Sequence, residues 1–349
     1  MGRSRQKQPR VTIQDVAARA GVSAMTVSNV VNCAGKVGAD TRARVLAAVE
    51  ALGYVPSQAA RNLAGAAPAR IGVLYADVES LFLSAALAEC SVAVAGQGLQ
   101  MLVRRADGAE PPEQAARALV RSGADALLLL PPFAELLSGT GAFQALAVPA
   151  AAIATAQPLA DMATVRIDNF SAARALTELL LARGCRRVAT ITGPAHHSDS
   201  RARLDGHRAA LAARGLPEVV VAGDFTFASG LAAANILLDR DPRPDAIVAA
   251  NDDMAAAVLW AAHSRGLNVP RDLSVTGFDD TLLATRVWPT LTTIRQPIRP
   301  MVATAVALLT EALAGGAAVA DRVLDFALVE RDSVRRGDAY LPTSQSALP

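Results

Sequence analysis

The apolar positions near the start of the chain repeat with the period of short helices. A first helix is indicated by apolar residues at i, i+3, i+4 and i+7, namely Ile13, Val16, Ala17 and Ala20. Thr12 and Asp15 have the spacing of a capping box, and Gly21 can adopt the positive φ that ends a helix. Ser23 can cap a second helix. The buried side of that helix is formed by Val27, Val30 and Val31.

A third helix is expected next, with Asp40 as its cap and Gly53 at its end. Its inward face is Val45, Leu46, Val49 and Leu52. In a helix-turn-helix the second helix enters the DNA major groove. The residues that then point outward, able to touch base edges, are Ala24, Met25, Ser28 and Asn29. Any small helical hairpin gives the same spacing, so the pattern alone leaves a simple packing role open.

From Arg70 onward, short apolar runs alternate with amphipathic segments of helical length. The helices predicted in this way are Ser84–Ala95, Glu113–Arg121, Ser171–Arg183, Ser200–Arg214 and Met254–Arg265, with a last one near Met301–Ala314. The candidate strands are Ile71–Ala76, Leu99–Arg104, Ala126–Leu130, Ala150–Ala154, Val188–Thr192, Val219–Ala222, Ala246–Ala249 and Ser274–Gly277. This alternation predicts parallel sheets covered by helices on both faces. Two units, about 70–160 and 165–290, fit better than one large sheet, and residues 291–297 lead back to a last helix and final strands. A two-lobed body of this kind binds its ligand in the cleft where strand ends meet.

Charge separates the head of the chain from the body. The whole chain has a net charge of +2, but residues 1–65 carry nine Lys and Arg against three Asp and Glu, which leaves −4 for the remainder. A basic head on a mildly acidic body indicates that the head binds a polyanion. A helix-turn-helix in the same segment favours nucleic acid over a merely solvated charged face.

Several chemistries are not indicated. Cys33, Cys90 and Cys185 lack the spacing of metal ligands and suggest a reduced, cytoplasmic protein. The adjacent His196 and His197 have no further ligands nearby, so we expect no metal, although they could line a pocket. The chain contains no phosphate-binding glycine loop and no credible catalytic triad, so we predict no cofactor, no catalytic residues and no enzyme activity. Trp260 is expected to pack in the core.

Specific segments of the head occur in the order and spacing of a known family. They are Thr12-Ile-Gln-Asp-Val-Ala17, Gly21-Val-Ser23, Thr26-Val-Ser28, Val30-Val-Asn32, Thr41-Arg42 and Leu52-Gly-Tyr-Val-Pro56. On these residues the chain resembles the lactose repressor/galactose repressor (LacI/GalR) family. The resemblance implies an α/β protein with a three-helix head, a hinge helix and a two-lobed, periplasmic-binding-protein-like body of doubly wound parallel sheets.

The domains expected from pattern and resemblance together are a helix-turn-helix domain at 1–55, a hinge helix and linker at 56–66, an effector-binding and dimerisation domain at 67–340, and a tail at 341–349. The first lobe comprises about 70–163 plus 293–322, and the second 164–292 plus 323–340.

The resemblance also implies contacts with DNA. The positions are Thr12, Ser23, Ala24, Met25, Thr26, Ser28, Asn29, Asn32, Thr41, Tyr54, Ala60, Asn62 and Leu63. Leu63 stands where the family's intercalating leucine stands, in a segment that would otherwise be a plain linker. Asn29 replaces an arginine that reads guanine in many members. An asparagine can pair bidentately with adenine, so we hypothesise a different half-site there.

The effector contacts implied by the resemblance follow strand ends in the body. They are Asp77, Phe82, Asp168, Arg203, Phe225, Asn251, Asp252, Asp279 and Gln296. Arg203 stands where the effector-gripping arginine stands, and Phe225 where an aromatic stacks on a ring. Asp168 and Asp252 could equally cap helices. The loop at Asp77 and Phe82 departs from the family's Asn-Pro-Phe-Phe.

The predicted function is a sequence-specific transcriptional regulator, a repressor of carbohydrate-utilisation genes that a small sugar releases from a palindromic operator. No leucine heptads follow Glu330, which predicts a homodimer rather than a tetramer, located in the cytoplasm with the nucleoid and not at a membrane. The alternatives are a purine-type corepressor-dependent regulator and a sugar-binding or sugar-processing protein.

Overall fold

The computed structural model describes residues 12–31, 37–52, 68–76, 80–106 and 110–336. The chain divides into two units, a head of residues 1–68 and a body that begins at residue 69. The predicted hinge helix and tail lie outside the described residues. So do several predicted site residues: Asn32, Tyr54, Ala60, Asn62, Leu63 and Asp77.

The described part of the head contains helices α1 (Ile13–Ala20), α2 (Ala24–Val31) and α3 (Ala39–Leu52). The capping box predicted for α1 is confirmed, because Asp15 accepts a hydrogen bond from the backbone N of Thr12 at 2.7 Å while the Thr12 hydroxyl accepts one from the backbone N of Asp15. Gly21 ends α1 at φ 64°. Ser23 Oγ accepts a hydrogen bond from the backbone N of Thr26 at 3.2 Å, so the cap predicted for α2 is also confirmed.

Two predictions for the head are wrong. Leu46 is 50% exposed, and Ala48 lies in the small core of the head instead, beside Val16, Val27 and Val45. Asp40 does not precede α3 but lies in its first turn, because the helix begins one residue earlier, at Ala39. There its negative charge faces the positive end of the helix dipole.

The body alternates strands and helices. In chain order its elements are β1 (Arg70–Tyr75), α4 (Leu81–Gly96), β2 (Gln100–Arg105), α5 (Pro112–Arg121), β3 (Ala126–Leu129), α6 (Phe133–Leu137), α7 (Gly141–Gln144), β4 (Ala150–Ile153), β5 (Ala163–Arg166), α8 (Asn169–Ala182), β6 (Val188–Thr192), α9 (Ser198–Ala212), β7 (Val219–Ala222), α10 (Phe227–Leu238), β8 (Ala246–Ala249), α11 (Asp252–Ser264), β9 (Ser274–Thr276), a 3₁₀ helix (Leu282–Thr285), β10 (Thr293–Arg295), α12 (Ile298–Leu313), β11 (Asp321–Val323) and β12 (Ala327–Val329).

Two parallel sheets form the two lobes of the body. The first has the order β11-β5-β4-β3-β1-β2 and the second β7-β6-β8-β9. Helices α4 and α12 cover one face of the first sheet, and α5, α6 and α7 cover the other. Helices α10 and α11 cover one face of the second sheet, and α8 and α9 the other. Strands β3, β4 and β8 are buried along their whole length, which explains their uniformly apolar sequences.

The observed elements correct three further expectations. Strand β5 lies in the first sheet, paired with β4, although we placed the second lobe from residue 164 onward. Each helix that was predicted in the body begins one to three residues earlier than expected. Trp260 is 57% exposed, while its neighbour Leu259 is buried, so the indole is not a core residue.

The chain returns along the second sheet before it ends. Single bridges join Thr276 to Thr292 and Asp279 to Arg295, so residues 292–295 run parallel to the end of β9. Strand β10 then pairs antiparallel with β12. This return brings Gln296 beside the carboxyl ends of the strands of the second sheet.

Candidate functional site

The carboxyl ends of strands from both sheets border one cavity of about 290 Å³. On the side of the first sheet, Ala76 follows β1, Pro131 follows β3 and Ala154 follows β4. On the side of the second sheet the corresponding residues are Pro194 after β6, Asp224 after β7, Asn251 after β8 and Asp279 after β9. A volume at the small end of the range for small-molecule sites suits a ligand of modest size.

The two walls of this cavity differ in chemistry. The described residues on the first-sheet side are mostly apolar and include Phe82, Leu83, Pro131 and Pro132. The opposite wall carries most of the polar groups: His197, Asp199, Arg203, Asn251, Asp279 and Gln296. Of the residues predicted as effector contacts, the structure brings together six around this cavity: Phe82, Arg203, Phe225, Asn251, Asp279 and Gln296.

Arg203 is a buried guanidinium held on several sides. Its Nε donates to Asn169 Oδ1 at 2.9 Å, its Nη1 to the carbonyl oxygen of Ala250 at 2.6 Å, and its Nη2 to Asp199 Oδ2 at 3.3 Å. Because a guanidinium has five N–H groups, two remain beyond these three bonds. Arg203 therefore offers a fixed pair of donors at the wall of the cavity.

Asp279 supplies the acceptor beside these donors. Its Oδ1 lies 3.8 Å from Arg203 Nη1 and accepts a hydrogen bond from Gln296 Nε2 at 2.7 Å. The Oε1 atom of Gln296 is buried and has no partner in the described part of the protein. Burial raises the pKa of Asp279 well above its ordinary value, and the nearby Arg203 charge offsets only part of that rise.

Strained backbone aims three residues at the cavity. Ala154, Phe225 and Asp279 all line it and all have positive φ, at 60°, 72° and 111°. Such conformations cost a non-glycine residue free energy of order 1–3 kcal/mol and persist where the surrounding structure imposes them. Here they turn the chain after β4, β7 and β9, at the border of the cavity.

Phe225 and Asn251 hold each other in place. Asn251 Nδ2 donates to the carbonyl oxygen of Phe225 at 2.8 Å, and Asn251 Oδ1 caps α11 by accepting from the backbone N of Met254 at 2.9 Å. The Phe225 ring lies where a Cβ at Gly193 would be, so this glycine makes room for it. The ring of His197 is 5.6 Å from that of Phe225, edge to face.

The structure does not place Asp168 or Asp252 at the cavity. Asp168 is exposed and caps α8, accepting from Ser171 N at 3.0 Å and Ser171 Oγ at 2.6 Å. Asp252 is buried behind the wall and accepts from the backbone N of Thr281 at 2.7 Å, from its hydroxyl at 3.1 Å and from the Thr293 hydroxyl at 2.7 Å. It does not cap α11 either, because Asn251 does. Burial raises the pKa of Asp252 to about 7.

Sequence reasoning missed Asp199 and Asn169, the partners that orient Arg203. Asp199 lies four residues before Arg203 on α9, the spacing at which charged side chains meet on one helix face, so this pair was detectable. Asn169 comes from another helix, α8, and no local pattern indicates its bond to Arg203. The apolar wall at Pro131 and Pro132 follows a predicted strand directly, which marked it as a strand-end loop.

The lobes also touch at the rim of the cavity. Glu135 on α6 accepts hydrogen bonds from the backbone N of Ser198, at 3.0 Å, and from the Ser198 hydroxyl. The Ser198 Oγ in turn accepts from the backbone N of Ala156 at 2.9 Å. The first turn of α9, which carries Asp199 and leads to Arg203, is thus tied to the first lobe.

The head presents a second candidate surface on α2. Met25 is 71% exposed there, and Ala24, Ser28 and Asn29 are half-buried. The hydroxyls of Ser23 and Thr26 lie 2.9 Å apart and bond to each other, and Thr12 is engaged in the capping box of α1. Thr41 lies half-buried in the first turn of α3.

A helix-turn-helix head together with a two-lobed body that encloses a polar cleft defines a transcription regulator that binds DNA and a small molecule. Residues 12–57 match the bacterial regulatory proteins of the lacI family, and residues 177–334 match the periplasmic binding protein-like domain. The relatives below extend this match over nearly the whole chain.

HTH-type transcriptional regulator CelR of Thermobifida fusca is 33% identical over 346 residues, covering 94% of this chain and 99% of the relative. The ribose operon repressor of Escherichia coli (strain K12) is 34% identical over 295 residues, covering 82% of this chain and 88% of the repressor. The chain belongs to the LacI family of bacterial regulatory proteins. It is a DNA-binding transcription regulator.

Solved structures agree with this fold. A CelR–cellobiose complex superposes with a TM-score of 0.69 at 31% identity, covering 93% of this chain and all of the other. A Lac repressor dimer bound to operator and the anti-inducer ONPF superposes with a TM-score of 0.73 at 30% identity, covering 93% and 99%. Among the helices that the structure describes, none is both long and apolar enough to cross a bilayer.

Proposed function

We propose that the protein represses carbohydrate-utilisation genes and that a small sugar, bound in the cleft, releases it from a palindromic operator. The observation that carries the proposal is the pairing of the fixed Arg203 donors with the Asp279 carboxylate on one wall of the cleft. A sugar presents adjacent hydroxyls that donate and accept at the same time, and a guanidinium beside a carboxylate matches that pattern.

The remaining polar groups of this wall support the same class of ligand. Gln296 Oε1 has no partner among the residues that the structure describes and can accept from a hydroxyl, while the second N–H of Asn251 can donate to one. Phe82 and Phe225 are available to cover the apolar C–H face of a sugar ring. The relative CelR is described in complex with cellobiose, which is a sugar.

Release follows from linkage between the cleft and the head. A ligand that contacts both walls favours one relative orientation of the lobes, and the Glu135–Ser198 contact changes with that orientation. If the other orientation binds operator better, the ligand lowers the affinity of the protein for DNA. The reduction is limited by the difference between the ligand's affinities for the two orientations. A coupling of about 1–3 kcal/mol, or about 5- to 150-fold, is typical.

The protein acts as a homodimer in this proposal. A palindromic operator requires two heads related by a two-fold axis, and the similar Lac repressor structure is described as a dimer bound to operator. The protein works by binding, not catalysis, in the cytoplasm. Light scattering at micromolar concentration is expected to give the mass of a dimer, and a monomer or a tetramer would contradict this part of the proposal.

The deciding experiment has two stages. Genomic fragments retained by the purified full chain at near-physiological salt are sequenced, and a recovered palindrome is labelled for anisotropy measurements, with a scrambled duplex as control. The complex is then challenged with a panel of sugars and nucleobases. Weaker operator binding with one sugar is the expected result. Tighter operator binding with a purine would show that the ligand is a corepressor and not a sugar inducer. Recovery of no palindrome, even with the panel present, would overturn the repressor assignment.

A further inference from the structure

The helix that faces DNA carries no charge. Helix α2 reads Ala-Met-Thr-Val-Ser-Asn-Val-Val, without Asp, Glu, Lys or Arg, although residues 1–65 as a whole are strongly basic. Phosphate groups are bound by neutral hydroxyl, amide and backbone N–H donors as well as by Lys and Arg, whereas direct reading of guanine depends mainly on Arg or Lys. The cations of the head therefore lie outside α2, and this helix reads bases without a guanidinium.

Among the four outward residues of α2, Met25 and Asn29 have the longest side chains. Val27 and Val30 are buried in the head core, and the hydroxyls of Ser23 and Thr26 bond to each other at the helix start. Met25 is 71% exposed. Asn29 is half-buried, and its amide makes no hydrogen bond within the described part of the chain.

Met25 and Asn29 lie on the same face of α2, since they are four residues apart. Four residues correspond to a rise of about 6 Å along a helix, and stacked bases are about 3.4 Å apart. When α2 lies in the major groove, the two side chains therefore face bases no more than about two steps apart.

The chemistry of each side chain selects one base. An asparagine amide donates and accepts in the arrangement that pairs with N6 and N7 of adenine. A methionine has no donor, and its flexible apolar chain suits the C5-methyl group of thymine. We infer that α2 reads an A·T-only core in each operator half-site, with Asn29 on an adenine and Met25 against a thymine methyl within about two base pairs.

This inference rests on the proposed operator binding but is tested separately from it. The full chain, alone and with the sugar and nucleobase panel, selects sites from duplexes with randomised half-sites. Asn29→Arg, Asn29→Ala and a control, Gln14→Ala, are selected in parallel; Gln14 is exposed on α1, the helix that crosses the backbone in this motif. Wild type and Gln14→Ala are expected to select A·T, Asn29→Arg to select G·C at the same position, and Asn29→Ala to lose preference there. The wild-type preference is expected to be about 5- to 150-fold.

A second arm isolates the methyl contact. Deoxyuridine replaces each thymidine of the selected core, which removes only the methyl group. Wild type is expected to bind about threefold to fourfold more weakly at one such position, as for one buried methylene-sized group, and Met25→Ala is expected not to distinguish the two duplexes.

The outcomes are distinct. A palindrome with G·C opposite Asn29 in wild type, or one that neither Asn29 variant changes, overturns the inference and leaves the repressor assignment intact. Equal binding of thymidine and deoxyuridine duplexes at every position overturns the part assigned to Met25. Failure to select any palindrome overturns both the inference and the operator-binding function.

Discussion

The guanidinium carbon of Arg203 lies 3.7 Å from the centre of the Phe278 ring, so the charged group stacks on the aromatic face in a cation–π contact. A cation over an aromatic ring is stabilised by about 0.5–2 kcal/mol, more when water is excluded. Together with the bonds to Asn169, Asp199 and Ala250, this contact fixes the guanidinium plane. In the proposed sugar site, its two remaining N–H groups are therefore available to the ligand without further ordering.

Arg203→Lys tests whether this planar donor pair binds the effector. Lysine keeps the charge but can neither make the paired bonds nor stack on Phe278. We expect effector affinity to fall by at least tenfold, because one charge-assisted hydrogen bond is worth about 1.5–3 kcal/mol. Calorimetric titration with the sugar found in the panel measures it. Operator affinity without sugar is the control, and an unchanged sugar affinity in a folded variant would remove Arg203 from the binding site.

Substitution of Asp168 is predicted to change stability alone, and substitution of Asp279 to change ligand binding alone. Asp168→Ala removes the cap of α8 and should lower the unfolding free energy by about 1 kcal/mol, with sugar affinity unchanged. Asp279→Asn keeps the shape of the side chain but removes the carboxylate beside Arg203, so we expect loss of sugar response with operator binding retained. Thermal denaturation and operator anisotropy distinguish the two variants; a loss of sugar response in Asp168→Ala would restore the original prediction for that residue.

The sequence predicts the body well where a strand is buried on both faces. Such strands as β3 and β8 are uniformly apolar, and they were located to within a residue. Strand β5, with the sequence Ala-Thr-Val-Arg, and the three-residue β10 carry too little pattern to be recognised, because they are defined by pairing with distant segments. The lobe boundary near residue 164 was misplaced for that reason.

The candidate site is less accessible to sequence reasoning. Asp168 and Asp279 both follow strands, so this placement in the sequence does not distinguish their roles. In the structure Asp168 caps a helix, whereas Asp279 lines the cleft. Ser171, three residues after Asp168, was a cue for the cap, whereas the positive φ of Asp279 has no counterpart in the sequence. Helical periodicity alone likewise did not distinguish Leu46 from Ala48 as the core residue.

Asp252 is expected to stabilise the second lobe and not to contact the ligand. Asp252→Ala leaves three donors without an acceptor, the backbone N–H and hydroxyl of Thr281 and the hydroxyl of Thr293. Each buried donor left unsatisfied costs about 1–3 kcal/mol, so we expect a loss of at least about 2 kcal/mol of unfolding free energy. Denaturant titration measures the loss, and sugar affinity of the folded fraction should not change. A stable variant with weakened sugar binding would reverse this assignment.

His207 makes the stability of the second lobe depend on pH. The Thr177 hydroxyl donates to the carbonyl oxygen of Ala173, so it accepts from Nδ1–H of His207 at 3.0 Å, and the buried Nε2 has no partner in the described residues. A proton on Nε2 would place an unpaired charge in the interior, and burial lowers the pKa of His207 to about 4.

The unfolded histidine has a pKa near 6.5, so between about pH 4 and 6.5 the unfolded state binds more protons and stability is lost as pH falls. The loss is at most about 3 kcal/mol. His207→Asn should flatten this part of the pH profile, measured by denaturation from pH 4 to 8. Equal slopes for wild type and variant would show that other groups cause the dependence.

Gly206 is predicted to be required for the close approach of α8 and α9. A Cβ at this position would overlap the carbonyl oxygen of Phe170 on α8, which is backbone and cannot rotate away. Gly206→Ala should therefore lower the unfolding free energy by about 1–3 kcal/mol, as overpacking does.

Gly96 is the matched control, because it ends α4 with open space around its Cα and no positive φ. Gly96→Ala should be neutral or stabilising by up to about 1 kcal/mol, since alanine favours the helix. Thermal denaturation of both variants measures the two effects. Equal stabilities would mean that α8 and α9 can separate at little cost, whereas a selective loss of stability in Gly206→Ala would show that the close approach is required.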